Sequence, residues 1–445
     1  MTNTTKHPTV SIIGGGLAGC EAAWQLATRD IPVLLYDMKP ATFSPAHKSA
    51  DLAELVCSNS LRSNDPFSAV GLLKDEMRHL NSLIIRTADE SAVPAGKALA
   101  VDRDQFSAAI TKKITAHPLI TLIRQEVTKM PELSDDITIL ASGPLSSDSL
   151  AGSLAELTGK ERLYFYDAIA PIIYSESLDM DVIYQKSRYD DGPGDYLNCP
   201  MDRQSYQNFI TELSNAKYAP LHDFEDAKYF EGCLPIEVIR SRGDDTLRFG
   251  PMKPVGLENP HTETTPYAVV QLRKENSQGS LYNMVGFQTK LTYGEQQRIF
   301  RMIPGLEQAR FARLGSIHRN TFICAPDILL PTLQTRMRPD LLIAGQLSGV
   351  EGYVESTAMG LIAGLNSFQL VRNQKPIPPP PDTAFGALLS HLTKTNPKHF
   401  QPSNINFGLF PAWEKKVPKR MRGHVRAERS LTARTRWIKQ LEESR

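Results

Sequence analysis

The stretch that most constrains the fold runs from Pro8 to Pro40 and reads PTVSIIGGGLAGCEAAWQLATRDIPVLLYDMKP. A short β-branched run, Val10 to Ile13, meets Gly14, Gly15, Gly16 and Gly19, and an apolar, Ala-rich segment of helical length follows. A second apolar run, Val33 to Tyr36, then delivers Asp37. Strand, tight turn, helix, strand and acid come in the order that a dinucleotide site requires. In the pattern G-x-G-x-x-G, Gly14 permits the turn, Gly16 lets the backbone approach a pyrophosphate, and Gly19 lets helix and strand pack closely. Gly15, Leu17 and Ala18 lie in the same turn and helix start, where free N–H groups and the positive dipole end favour phosphate. Asp37, 18 residues beyond Gly19, is placed to accept hydrogen bonds from the ribose hydroxyls of adenosine. The motif alone leaves NAD and FAD open.

A chain of 445 residues is too long for one simple core and predicts two or three domains. Hydrophobic content of 41% and charged content of 22% are ordinary for a globular protein in water. No signal peptide precedes the first strand and no apolar run reaches membrane-spanning length, so a cytoplasmic protein that does not engage a membrane is expected. Five scattered cysteines, Cys20, Cys57, Cys199, Cys233 and Cys324, contain no C-x-x-C pair, which argues against a disulfide scaffold, a zinc ribbon or a dithiol reductase. Net charge is only +1, but from Trp413 to Arg445 there are 11 Lys and Arg against 4 Asp and Glu. A basic segment on an otherwise acidic chain suits a polyanion partner, and equally suits a solvated helix with surplus arginine.

The opening texture predicts an α/β, Rossmann-like domain over residues 1–160, with further strands at Ile120 to Val127 and Ile137 to Ala141. Over 161–325 the pattern changes to strand-like runs broken by turns such as DDGPGD, which predicts an inserted mixed α+β domain. The first texture returns in 326–375, where LLIAGQLSGVEGYVESTAMGLIAG is again strand, glycine turn and helix. The nucleotide domain is therefore expected to be discontinuous in sequence. Residues 376–445 hold the polyproline run Ile377 to Pro381, expected as a stiff linker, and the basic segment. Two strand–turn–helix units at opposite ends favour FAD, because an FAD fold grips the ADP half with one and sets the flavin end against the other. Gly345, Gln346, Gly352 and Tyr353 would aim a helix start at the flavin pyrimidine, whose charge rises on reduction. Tyr353 is a candidate stacking residue, with core packing as the plain alternative.

The motifs GGGLAGCEAAWQLA, AELVCSNSLRS, YLNCPM, FEGCLPIEVIRSRG, DDTLRFGPMKPVGL, VGFQTKLTYGEQQR, HRNTFI and FQPSNINFGLFPAW, together with the unit at Leu341, span nearly the whole chain. In them the sequence resembles the folate- and FAD-dependent tRNA (uracil-5-)-methyltransferases and, more distantly, the GidA-like flavoproteins. The resemblance implies FAD, NADPH or NADH as reductant, 5,10-methylenetetrahydrofolate as carbon donor, and a T-loop uridine of tRNA as substrate, with no obligate protein partner. The same chemistry on ribosomal RNA, a small-molecule flavin oxidoreductase and a non-catalytic RNA-binding flavoprotein are the competing readings. Uracil carbon-5 is a poor nucleophile until an anion adds to carbon-6, and a thiolate in positive surroundings suits that task. Cys233, in a Gly-Cys-Leu-Pro turn with Arg240 and Arg242 nearby in sequence, matches a family cysteine and is expected as the carbon-6 nucleophile. Cys57, followed by Asn59, Ser60 and Arg62, matches the second family cysteine, expected to protect the flavin or help remove the carbon-5 proton, with Asn59 near the cofactor. Asp37 stands where that family usually has Glu. Cys20 and Cys324 read as small hydrophobes and Cys199 is left undecided. His318 and Arg319 are candidates for folate and Arg103 for the flavin's surroundings, each against an ordinary structural role. Trp413 and Trp437, among the tail's cations, would let aromatic rings stack on an unpaired base.

Overall fold

The computed structural model describes residues 9–134, 136–159, 163–188, 192, 194–219, 229, 234–413 and 417–443. Its first layer is a five-stranded parallel sheet in the order Leu341–Ile343, Thr138–Leu140, Val10–Ile13, Val33–Tyr36, Ile120–Ile123. Register is direct, with Ile12 opposite both Leu35 and Ile139 and with Leu342 opposite Ile139. Strands this rich in Val, Ile and Leu are covered on both faces, as parallel sheets require, and Val10, Ile12, Leu35, Ile139 and Leu341 are fully buried. The strand from the far end of the sequence thus sits in the same sheet as the opening strand, as the repeated glycine pattern led one to expect.

Two helices pack across this sheet with very close backbones. Leu17–Ala27 follows the first strand, and Tyr353–Val371 follows the last. A Cβ placed on Gly360 would lie 2.2 Å from the Ala18 carbonyl oxygen, so only glycine allows that approach. The longer helix is apolar nearly all round, which is the pattern of a helix buried on every side.

The middle of the chain builds a six-stranded sheet in the order Tyr184–Gln185, Tyr196–Met201, Ala268–Lys274, Leu281–Met284, Ile172–Tyr174, Phe311–Arg313, with antiparallel pairing throughout. Helix Arg203–Ser214 covers it with Tyr206, Phe209, Ile210 and Leu213, a one-face helical spacing. Its start is capped by Asp202, whose carboxylate accepts from the Ser205 N–H at 2.7 Å. These side chains join a second hydrophobic core, separate from that of the parallel sheet. Leu163–Ala168 and Ile317–Phe322 form a two-stranded antiparallel ladder, so the chain enters and leaves this region side by side.

Beyond Val371, the run expected as a stiff linker lies against the body. The Ile377 N–H donates to Gln369 Oε1 at 2.9 Å and the Ile377 carbonyl accepts from Trp437 Nε1 at 2.8 Å. The basic tail forms helix Arg422–Glu443, whose inward face is Arg426, Ser430, Arg434 and Trp437. Among the described residues no helix is long and apolar enough to cross a membrane.

Candidate active site

The opening glycine turn is built as its spacing implies. Gly14 sits at φ +114°, and a Cβ there would come within 2.3 Å of the Ala141 oxygen where neighbouring strands converge. A Cβ on Gly19 would lie 1.8 Å from the Gly14 oxygen, so this glycine sets how tightly helix and strand pack. Gly16 caps helix Leu17–Ala27 without a side-chain hydrogen bond, and the space where its Cβ would project is open. The helix's first N–H groups have no intrahelical acceptor, so an anion fits here. Asp37 closes the other end: its carboxylate accepts from the Gly15 N–H at 3.1 Å and the Lys39 N–H at 2.8 Å, with Arg124 Nη1 at 3.5 Å. Two carboxylate oxygens offer about four acceptor sites, so ribose hydroxyls can still be bound.

A cleft of about 1130 Å³, counting the solvent at its mouth, runs from this turn to the later glycine unit. It is lined by Gly14, Gly15, Gly16, Leu17, Ala18, Asp37, Gly345, Gln346 and Tyr353, so one concavity gathers residues from both ends of the sequence. It also takes in Lys39, His47 and Gln125 to Val127, which carried no motif to mark them, and Ser142 to Ser147, where Ser142-Gly143-Pro144 ends a strand in the kind of small-residue turn that often lies beneath a dinucleotide in a doubly wound sheet. Those segments follow strands Ile120–Ile123 and Thr138–Leu140, and the carboxyl ends of parallel strands are where ligands of such sheets bind. Burial, then Lys39 nearby, lowers His47 to about 4, so its imidazole is neutral at pH 7. A mostly apolar cleft with a helix start at one end and Asp37 among the acids that line it fits a dinucleotide such as FAD.

Gly19, Asn59, Gly352 and Cys57 do not line this cleft. Gly352 holds φ +109° before helix Tyr353–Val371. Asn59 is fully buried and braces the inserted region: its amide donates to the Val101 and Lys274 carbonyls at 3.0 and 2.8 Å and accepts from Arg273 Nε at 2.9 Å. Its amide is thus engaged by groups of the protein itself.

Cys57 is half-buried, with Sγ 4.0 Å from the Ala168 carbonyl, and its loop is held from several distant elements. The Tyr353 hydroxyl oxygen accepts from the N–H groups of Cys57 at 2.7 Å and Ser58 at 3.2 Å. Arg103 donates to the Leu55 carbonyl at 2.8 Å, and Arg313 to those of Val56 at 2.8 Å and Cys57 at 3.4 Å. Arg273 reaches Ser58 Oγ at 2.8 Å. Three guanidinium groups thus surround the loop, and Glu275 pairs with one of them, Arg103, at 2.6 Å. Burial, with Arg103 alongside, lowers Arg313 to about 10, so it remains a cation at neutral pH. Glu351 lies beside the later glycine turn, fully shielded, and accepts from Gln346 Nε2 at 2.6 Å. Burial and the neighbouring Asp167 push its carboxyl well above the carboxylate range.

Cys233, expected as the nucleophile, lies outside the described residues. Of the two arginines expected to support it, Arg240 forms an ion pair with Asp244 at 3.0 Å and Arg242 is exposed. Cys20 and Cys199 are fully buried and burial raises both thiols, as suits inert core groups. Cys324 is half-buried near the Pro397 carbonyl at 3.8 Å. His318 Nε2 is 2.9 Å from Ser316 Oγ, with its pKa lowered by burial and Arg313, and Arg319 stacks on the Tyr164 ring at 3.7 Å. Trp437 is 1% exposed and packs 6.0 Å from the Phe385 ring, so it is a core residue and cannot stack on a base. Trp413 carries Arg426 on its ring at 3.8 Å.

The model of the family described as glucose inhibited division protein A matches residues 9–375. The methylenetetrahydrofolate--tRNA-(uracil-5-)-methyltransferase TrmFO of Desulfotalea psychrophila is 67% identical over 437 residues, 98% of each chain. The protein of the same description from Syntrophus aciditrophicus is 57% identical over 434 residues, 97% of this chain and 98% of its own. Among solved structures, Aquifex aeolicus GidA in its form II crystal superposes with a TM-score of 0.70 at 15% identity, covering 99% of this chain and 74% of that one, a likeness of fold. With one family model spanning most of its length and such relatives spanning nearly all of it, the chain belongs to the glucose inhibited division protein A family and, within that family, to the methylenetetrahydrofolate–tRNA-(uracil-5-)-methyltransferases.

Proposed function

We propose that the protein methylates carbon-5 of a T-loop uridine in tRNA, taking the one-carbon unit from 5,10-methylenetetrahydrofolate, with FAD as cofactor and NADPH or NADH as reductant. The observation that carries this reading is the 67% identity across 98% of the chain to a relative of that description, joined to a cleft shaped for a dinucleotide. The free N–H groups after Gly16 would hold the pyrophosphate, Asp37 the ribose, and Gly345 with Gln346 the isoalloxazine edge. Bound there, FAD would relay the carbon from folate and supply the hydride that completes the methyl group.

The remaining work falls to the chain's own groups. Cys233 would add to uracil carbon-6 as a thiolate, moving an electron pair into the ring so that carbon-5 becomes nucleophilic. After carbon transfer a base must take the carbon-5 proton, whose electrons expel the carrier nitrogen from the transferred carbon; once hydride has reached that carbon, the electron pair returns from the ring, expels the Cys233 thiolate and restores the double bond between carbon-5 and carbon-6. Cys57 is the candidate for that proton, held in place by Tyr353, Arg103 and Arg313. A tRNA substrate also places the activity in the cytoplasm.

The test is incubation of the purified protein with unmodified tRNA, labelled methylenetetrahydrofolate and NADPH. Label in 5-methyluridine of the tRNA is expected; flavin-loaded protein that labels no tRNA would overturn the proposal, and a ribosomal RNA transcript in a parallel tube tests that substrate. Cys233→Ala is expected to keep the flavin and abolish labelling.

A further inference from the structure

In the inserted region, residues 217–219 run alongside 290–292. The Ala219 N–H donates to the Lys290 carbonyl at 2.8 Å and the Thr292 N–H to that of Lys217 at 3.1 Å, while Tyr218 bridges Leu291 in antiparallel sense. This pairing sets an aromatic ring and two cations on the surface. Tyr218 is 43% exposed, and the Lys290 ammonium sits 4.4 Å from its ring centroid. Lys217 is exposed, and neither lysine forms an ion pair with another described residue. Tyr293, next along, is 61% exposed. The nearby carboxylate of Glu237 faces inward, bonded to Thr289 Oγ1 and, at 3.3 Å, to the Lys290 N–H. The Ile236 N–H donates to the Gln288 carbonyl at 2.8 Å, which ties this segment to helix Ile236–Ser241, three residues after Cys233 in sequence.

A protein partner would favour a larger apolar patch. An exposed ring beside ammonium groups that no described carboxylate pairs with is instead the surface that single-stranded nucleic acid uses, bases stacking on aromatics and phosphates meeting cations. We propose that Tyr218, Lys217 and Lys290 form a platform for an unpaired nucleotide of the substrate RNA, its base stacked on Tyr218 and its flanking phosphates held by the two lysines. The platform rests on the proposed function and adds to it the place where the inserted region grips the opened loop.

The experiment measures binding of the full-length, flavin-loaded protein by fluorescence anisotropy, with an unmodified tRNA transcript and with heparin as separate probes. Tyr218→Ala is expected to weaken tRNA binding by roughly 5- to 100-fold and leave heparin binding alone, because heparin has no bases to stack. Tyr218→Trp restores tRNA affinity, whereas Tyr218→Leu, which keeps bulk without a ring, does not. Lys290→Gln lowers the salt slope of tRNA binding by about one. Full tRNA affinity in both the Ala and Leu variants, or equal losses for tRNA and heparin, would overturn the platform while wild-type methylation leaves the parent reading intact. A wild-type protein that neither binds nor methylates tRNA overturns both.

Discussion

The Tyr353 hydroxyl accepts hydrogen bonds from two successive backbone N–H groups, those of Cys57 and Ser58. Burial, and then the adjacent Cys57, raise the phenol's pKa, so it remains a neutral hydroxyl that can serve both donors at neutral pH. Tyr353→Phe removes the acceptor and keeps the ring, leaving two N–H groups without it. A fully buried unmet donor costs about 1–3 kcal/mol and these two are part-buried, so thermal unfolding should show a loss at the lower end of that range, and iodoacetamide should label Cys57 faster as its loop loosens. Gly16 and Gly19 give a paired prediction. Gly16→Ala adds a methyl group into open space, so the protein should fold as before and lose flavin only if the pyrophosphate sits there. Gly19→Ala drives the methyl group against the Gly14 oxygen, so stability and flavin should fall together. Absorbance near the flavin band, read beside a melting curve, separates the two. Gly19 was legible because it belongs to a motif whose spacing fixes its place. The bond between Tyr353 and Cys57 was not, since 296 residues separate the partners and nothing local in either segment records the other.

Helix Ala69–His79 shows what one element can hold together. Toward the site, Lys74 donates to the Leu61 carbonyl at 2.7 Å and to that of Arg62 at 3.3 Å, bracing the stretch that follows Cys57. Toward the tail, Asp75 pairs with Arg434 at 2.6 Å, and Glu76 accepts from the N–H groups of Ala384 at 2.7 Å and Phe385 at 3.1 Å and from Ser430 Oγ. Helical periodicity shows such a helix in the sequence, but not that Lys74 and Glu76 are both buried, because buried charge runs against the pattern that marks a core face. Burial raises Glu76 to about 7 from 4.5, so the folded protein holds this proton where the unfolded chain releases it. The contribution is therefore full below about pH 4.5 and is lost as pH rises toward 7. Glu76→Gln removes the titration. The stability of the wild type relative to this variant, from urea unfolding at a series of pH values, should fall as pH rises from 5 to 7. A difference that is flat with pH would show that the three donors keep Glu76 ionised throughout.

Across the whole molecule, the tail whose composition suits a polyanion partner and a solvated helix alike is also a piece of the core. Trp437, Arg434 and Ser430 face inward, against Phe385, Asp75 and Glu76, while Arg420, Arg422, Arg436 and Lys439 face solvent. Charge counting could not separate these two sets, because it takes no account of which turn of the helix each cation occupies. The repeated glycine pattern, by contrast, did place the last parallel strand in the first sheet, because that pattern is tied to one local geometry. Removing everything after Phe410 would therefore confuse two effects, since it strips a helix from the core as well as a set of cations. Trp437→Ala alone should cost about 3–5 kcal/mol by leaving a large cavity. A variant with Arg420, Arg422, Arg436 and Lys439 all changed to Gln should keep the wild-type melting temperature, because those side chains bury nothing. If the outer face of the tail meets tRNA, this variant loses affinity and its salt slope falls by up to about 4, one unit for each phosphate contact removed. An unchanged slope would make the tail a packing helix only, and would leave RNA binding to the inserted region.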